Sequence, residues 1–362
     1  KNISTARMIS GILSAAIMTN KTPLRKVPAE WELPVAIMVA WPHEHTDWSY
    51  MLAEAQRCYI RLITALAKWH QVIIVAPDIE QVKPKLKDIN PAQLLYFQTP
   101  TNDTWTRDYG PVSVEENGHI CAADFCFNAW GLKFAACHDN LVTQKMCDSG
   151  LITAPRLNCR EFVFEGGSME SDGNGTLLTT AECLLSPNRN AGMNRMQIEQ
   201  YLHATLGFTH QLWLEHGYLA GDDTDSHIDT LARLAPHDTI LYVGCTDPND
   251  EHFNELSLMK QELMAMRTSE GNPYSLIELP MPDVILDDEG NRLPATYANF
   301  LVTDRAIFMP SYGQKRNDEL AAQIVQIAFG LPVEQVDCRA LIQQHGSLHC
   351  ATMQIPLKSL CI

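Results

Sequence analysis

Two spacings of apolar residues alternate along the chain. From 49 to 70 they recur three and four apart, at Leu52, Ala55, Tyr59, Leu62, Ile63 and Leu66, which predicts an amphipathic helix. The run QVIIVAP (71–77) follows and reads as a buried strand. The same order of helix and then short apolar strand can be read four more times. Residues 138–150 precede LITAPRL (151–157), and 193–206 precede HQLWLE (210–215). Residues 254–269 precede YSLIELP (274–280), and 318–329 precede VEQVDC (333–338).

Each of the five units leads into a polar cluster. In order these are NDTWTRDYGP (102–111), FEGGSMESDGNG (164–175), GDDTDSHIDTLAR (221–233), LPATYANF (293–300) and HGSLHC (345–350). Five alike units, each feeding a functional-looking segment, suggest a closed pseudo-symmetric ring with one central site. An ordinary α/β fold with polar loops is the competing reading of the pattern alone.

Composition narrows the partners. The chain has 362 residues, 46% hydrophobic and 19% charged, enough to bury a large core. A net charge of −16 argues against nucleic acid, whose phosphates need a basic surface, and suits cationic small molecules. The eleven cysteines are scattered, odd in number and without a C-x-x-C pair. They read as buried thiols of a reducing cytoplasm, with one candidate nucleophile among them. The apolar stretch at 8–18 is too short to span a bilayer. We expect a cytoplasmic protein without a membrane segment, with 1–17 an extension and 18–362 one catalytic domain.

The clusters carry the chemistry. In the third, Asp223, Asp225, His227 and Asp229 recur at every second position. Read as the start of a strand, this places Asp225, His227 and Asp229 on one face, where carboxylates raise and orient an imidazole. A calcium loop would need a glycine at its turn and a glutamate at its twelfth position, and both are missing. In the first cluster Asp108 can accept two N–H groups of a guanidinium side-on, and Trp105 can cover its face; an Arg107–carboxylate pair beside a core Trp is the plainer reading. Glu165 follows a strand-like run, and its two glycines permit unusual backbone. DGNG (172–175) reads as a hairpin turn into TLLTT. Asn299 is a polar residue in an apolar strand. Cys350 is the best nucleophile candidate. Read on a strand, its neighbour His349 points the other way, so its base comes from elsewhere, and His227 is the candidate. His43 and His45 lack a third metal ligand nearby and read as a helix entry capped by Thr46 or Asp47.

Together, PAEWE (28–32), WPHEHTDW (41–48), NDTWTRDYGP, EGGS, GDDTDSHIDTLAR, LPATYANF and GSLHC occur in an order that resembles the agmatine deiminase family of the guanidine-modifying (pentein) superfamily, over nearly the whole chain from about Pro28. The resemblance implies a five-bladed α/β propeller. It implies Cys350 as nucleophile, His227 as proton shuttle oriented by Glu165, and Asp108 and Asp229 as a guanidinium clamp. Trp105 would line the pocket and Asn299 would lie near it. It further implies no metal and no organic cofactor, a homodimer, and hydrolysis of agmatine to N-carbamoylputrescine and ammonia, with a place in putrescine and polyamine synthesis. Free or peptidyl arginine is the alternative substrate. Asp222, Asp223 and Asp225 are the candidates for recognising agmatine's distal amine. Two readings of other classes stay open: a metal-dependent hydrolase built on Asp223, Asp225, His227 and Asp229, and a non-catalytic polyamine-binding protein.

Overall fold

Strand Val72–Ala76 is buried at every residue and lies parallel to Val35–Ala40, equally buried. Both are apolar on both faces because each lies inside a sheet covered on both sides. The helix between them, Leu52–Ala67, buries Ala55, Cys58, Tyr59, Leu62, Ile63 and Leu66, the stripe its spacing predicts. This strand–helix–strand unit recurs in five sheets of the computed structural model, which describes residues 24–362. The expected extension at 1–17 and start at Met18 lie outside the described residues. None of the described helices is long and apolar enough to cross a membrane.

In the second sheet His119–Cys126 runs parallel to Arg156–Val163, with Val142–Asp148 as crossover helix. The third pairs Thr176–Thr180 with His210–Leu214 around helix Arg195–Leu206. That helix opens on a reciprocal Asn194–Gln197 capping box and stops at Gly207 in left-handed backbone. The fourth joins Thr239–Val243 to Ser275–Leu279 across Phe253–Ala265, and the fifth joins Ile307–Ser311 to Val333–Asp337 across Lys315–Phe329. Every unit also carries a short antiparallel strand: Val112–Glu116, Glu170–Ser171, Ala232–Ala235, Leu301–Val302 and Met353–Pro356. The last of these, near the C-terminal end, pairs with Val35–Ala40 of the first sheet and closes the set.

Each polar cluster precedes one of these antiparallel strands, and hydrogen bonds tie the five clusters into a circle. Gly167 N donates to Asp108 (2.9 Å), and Glu165 holds His227 (2.9 Å). The Asp229 carbonyl accepts from Asn299 Nδ2 (3.4 Å), and Asn299 Oδ1 accepts from His349 N (2.9 Å). Arg107 N then donates to the Cys350 carbonyl (3.1 Å). The ring reading of the pattern therefore prevails over an ordinary layered sheet.

Four local expectations need correction. Residues 151–155 of LITAPRL are not a strand, and pairing begins after Pro155, whose carbonyl accepts from Ala122 N. Residues 228–230 form a short 3-10 turn instead of a strand, closed by the Thr230 hydroxyl on the His227 carbonyl (2.8 Å), and the strand starts at Ala232. Asn299 precedes strand Leu301–Val302. His349 and Cys350 sit in a turn ahead of Met353–Pro356. In the last three cases side-chain–backbone bonding ends the strand pattern where the chain reaches the ring centre. The hairpin at 172–175 forms as expected. Thr46 does precede a short 3-10 helix at Asp47–Met51, but its hydroxyl bonds back to the His43 carbonyl instead of capping.

Candidate active site

Four of the expected residues meet around Gly167. A Cβ at that position would lie 2.5 Å from His227 Nδ1, 2.8 Å from Asp108 Oδ1 and 3.1 Å from Asp229 Oδ2. The paired glycines of FEGGS thus serve close approach more than unusual backbone: Gly166 to Ser168 forms a 3-10 turn whose second glycine leaves room for three functional side chains. Glu165, one residue before the turn, accepts from His227 Nε2 at 2.9 Å.

Asp108 lies on the one-turn helix Thr106–Tyr109 and is buried. Its Oδ1 accepts from Gly167 N and its Oδ2 from Trp130 Nε1, both at 2.9 Å. Trp130 reaches it from a rare conformation. Residues Ala129, Trp130, Gly131 and Leu132 all have positive φ, and Leu132 N and Lys133 N donate to the carbonyls four residues back. This is a single left-handed helical turn, which costs about 1–2 kcal/mol at each non-glycine residue. The Asn128 side chain holds it through Gly131 N (3.0 Å) and the Asn188 carbonyl (2.8 Å). Such strain persists only where the surroundings enforce it, and it clusters at functional sites.

Asp229 is fully buried. Its Oδ2 accepts from His349 Nδ1 at 2.7 Å and stands 3.7 Å from Cys350 Sγ. Asn299 Nδ2 lies 3.2 Å from the same sulfur. Two buried atoms at the centre, Asp229 Oδ1 and His227 Nδ1, have no hydrogen-bond partner among the described residues. Buried polar atoms are rarely left so, and each asks for an explanation.

The electrostatics follow from this crowding. Burial, then Asp229 and Asp108, push the Cys350 thiol well above its ordinary value. Burial disfavours charge on His227, yet Asp108 and its other acidic neighbours hold it well above the usual imidazole value. Burial raises Asp108. Asp229 and Glu165 are held low against burial, the first by the hydrogen bond from His349 and the second by those from His227 and by the charge of Arg189. Both directions favour the protonated form, a thiol at Cys350 and a cation at His227.

Above this centre a cavity opens. Cys350 and Asp108 form its floor, and Trp105, Trp130 and Phe134 its walls. Gly346 lets Trp105 pack close, since a Cβ there would stand 2.3 Å from the ring. The rim carries Asp47, Asp103, Asp223 and His345, and among the described residues no Lys or Arg lines the cavity. Burial raises Asp103 to about 7 and Asp223 to about 6. A second cavity, against Glu30, Arg107 and Gln354, lies elsewhere, and its charged groups largely satisfy one another.

The dense acids of 222–229 separate. Asp222 ties down its own turn through Thr224 N (3.2 Å) and Ser226 N (2.8 Å). Asp225 has left-handed backbone and turns away to Arg189 (2.6 Å) and Lys133 (2.7 Å). Of these three only Asp223 borders the cavity. The metal-hydrolase cluster is therefore not assembled: Asp223, Asp225, His227 and Asp229 do not converge. Among the described residues, the group whose donor atoms do meet, within 4.8 Å, is Glu165, Cys183 and His227, and there Arg189 already supplies Glu165 with a cation at 2.9 Å.

Sequence reasoning missed Trp130, Arg189, Cys183 and the roles of His349 and Glu30. His349 Nε2 lies 2.6 Å from Glu30, which also takes Arg233 (3.2 Å) and Arg107 (3.5 Å). The Arg107–carboxylate pair beside a core Trp, the plainer reading of its cluster, is thus present along with the site. Glu30 belongs to PAEWE, so a signal for it existed. Arg189 and Cys183 lie in segments with no local mark.

Comparison with known proteins agrees with this geometry. Residues 26–356 match the family model of Porphyromonas-type peptidyl-arginine deiminase. A relative of Legionella pneumophila (strain Paris), described as a "putative agmatine deiminase", is 33% identical over 338 residues, 91% of this chain and 95% of its own. The solved structure of a "putative arginine deiminase" from Porphyromonas gingivalis superposes with a TM-score of 0.88 at 46% identity, covering 93% of this chain and 100% of the other. That of a C. jejuni agmatine deiminase with substrate bound gives 0.86 at 37%, covering 94% and 98%. The chain belongs to this agmatine and peptidyl-arginine deiminase family, has its α/β pentein fold, and is a hydrolase of the deiminase type.

Proposed function

We propose that this protein hydrolyses the guanidinium of agmatine to N-carbamoylputrescine and ammonia, with Cys350 as nucleophile. Asp108 and Asp229 accept the guanidinium N–H groups, and the unpartnered Asp229 Oδ1 supports that role. Burial and then two carboxylates hold the Cys350 proton in place; entry of the cation offsets the carboxylates, so the thiol releases its proton to solvent as substrate binds. The sulfur then attacks the guanidinium carbon. His227 gives its Nδ1 proton to one amino group, the C–N bond breaks and ammonia leaves. A thiouronium adduct remains on Cys350. His227 next takes a proton from water, whose oxygen attacks the same carbon. The C–S bond breaks, the remaining hydroxyl proton passes to the leaving sulfur, and the ureido product and the thiol separate.

The observation that carries the substrate is the rim. Asp47, Asp103 and Asp223 suit the distal ammonium of agmatine, and among the described residues no Lys or Arg lines the cavity to receive the carboxylate of free arginine. A second reading, peptidyl arginine, has no free carboxylate at that position and is compatible with the same rim. The family model, described by peptidyl-arginine activity, supports it, and the 46%-identical solved structure is described by arginine activity. Ammonia release from agmatine, arginine and N-acetyl-arginine amide, compared by kcat/KM, decides between them. The proposal expects agmatine to lead, and a lead for the acylated arginine overturns it. Ammonia release abolished by EDTA and restored by a divalent ion would return the metal-hydrolase reading. Agmatine binding without turnover would favour a binding protein.

A further inference from the structure

We infer that Arg189 is a positioning residue for the Glu165–His227 pair, acting through the carboxylate and touching no substrate. This rests on the reading of His227 as the proton shuttle.

The side chain of Arg189 is 1% exposed, and it forks between three acceptors. Nε lies 2.9 and 3.1 Å from the two Glu165 oxygens. NH2 donates to the Thr224 carbonyl (2.8 Å) and also faces Glu165 (2.9 Å). NH1 meets Asp225 at 2.6 Å. Asp225 in turn receives Lys133 at 2.7 Å, next to Phe134 on the cavity wall. Charges of alternating sign thus run from the protein surface to the buried imidazole: Lys133, Asp225, Arg189, Glu165, His227.

Two physical consequences follow. First, a guanidinium fork fixes the plane of a carboxylate as well as its charge. Glu165 Oε2 bonds His227 Nε2, so the plane of Glu165 sets the direction of His227 Nδ1, the nitrogen that faces Gly167 and Asp108, of which Asp108 lines the cavity. Rotation of that ring misaims its proton. Second, Glu165 is wholly buried, and its other neighbours are His227, a cation only while it holds its proton, Cys183 at 3.7 Å, and beyond the ring the acid Asp108. Arg189 is the fixed cation that keeps Glu165 ionised while His227 gives and regains its proton.

A purely structural arginine would only pin the loop 185–194 to residues 224–225. The two roles differ in kinetics. Whichever of agmatine and N-acetyl-arginine amide the wild type turns over serves as substrate. Chloroacetamidine, an amidinium that alkylates a thiol, counts competent Cys350 sites by mass spectrometry. For Arg189→Gln we expect kcat per labelled site to fall about 10- to 100-fold, the usual cost of removing a group that orients a catalytic histidine or ligand. KM should stay within about threefold, because no substrate contact is lost. The acid limb of the kcat profile should move to higher pH, since Glu165 without its cation takes up a proton more readily. Arg189→Lys should keep the acid limb of the wild type and still lose about tenfold in kcat, as a point charge without a fork.

Wild-type kcat per site in Arg189→Lys overturns the inference, and so does a loss in Arg189→Gln that tracks the count of labelled sites with an unmoved pH profile. If Arg189→Gln does not fold, the lysine variant and Asp225→Asn, expected to lower kcat less and in the same direction, carry the test. Failure of the underlying reading looks different: the wild type then releases ammonia from neither substrate and Cys350 is not labelled.

Discussion

Two buried histidines stand at the ring centre, and they are held in opposite ways. His349 has a carboxylate on each nitrogen, Asp229 at 2.7 Å and Glu30 at 2.6 Å, with Arg233 balancing Glu30 at 3.2 Å. His227 has Glu165 on Nε2 at 2.9 Å, with Arg189 behind it, and nothing bonded to Nδ1. Both are acid–imidazole–arginine assemblies of similar burial. The difference is one unused valence. A histidine with both nitrogens engaged is a strut: it fixes Asp229 and cannot move a proton without breaking a bond. A histidine with one free nitrogen over a cavity floor can. Adjacency in sequence misleads here, since His349 is next to Cys350 yet serves the clamp.

The sharpest test replaces each histidine by asparagine. His227→Asn should lower kcat by about 10²–10⁴-fold, the range for loss of a general acid–base group. His349→Asn should instead act largely through stability, because Glu30 and Asp229 lose a partner inside the protein; removing one side of a buried pair costs about 3–5 kcal/mol. Thermal unfolding alongside kcat separates the two. Equal losses of kcat with equal melting temperatures would erase the contrast.

The next effect concerns the sulfur. Burial, then Asp229 and Asp108, hold the Cys350 proton on, so a reagent that carries its own cation should relieve the carboxylates' share and a neutral one should not. Chloroacetamidine should label Cys350 faster than chloroacetamide, by about tenfold for each unit the bound cation takes off the thiol. Equal rates at pH 7 would show that the carboxylates do not govern the thiol.

The smallest effect lies at the rim. Asp223→Asn should raise KM for agmatine by up to about fivefold, as befits a partly exposed ion pair, and leave N-acetyl-arginine amide unaffected. The pH dependence has the matching sign. The raised acids Asp103 and Asp223 are anionic above about 7 and about 6, so KM for agmatine should climb as pH falls through that window. A flat KM between pH 8 and 6 would detach the rim from substrate choice.

Much of the architecture was legible in the chain, for a physical reason. Helices that bury one stripe leave a periodic trace and strands that bury both faces leave short apolar runs, and five such units suggest a ring, beside an ordinary α/β fold, before the sheets are seen. Residue type marked the chemistry as well. Asp108, Glu165, His227, Asp229, Asn299 and Cys350 stand in polar clusters between apolar runs, and all six come together. Boundaries failed where the clusters enter their strands, because side-chain bonds such as Thr230 to the His227 carbonyl override alternation.

The tertiary structure alone decided which acids near His227 face it. Alternation put Asp225 beside His227 and Asp229, whereas left-handed backbone at 225–226 turns Asp225 outward to Arg189. No local pattern announces that turn, since neither residue is a glycine. The partners of the two histidines were equally hidden: Glu165 lies 62 positions from His227, and Glu30 lies 319 from His349. A hydrogen bond across such separations leaves no periodicity in the chain. The sequence by itself determined the five units and the candidate reactive groups, because burial and residue chemistry are local properties. The closing of the ring assigned each group its neighbour, and with it which histidine has both nitrogens engaged and which keeps one unbonded.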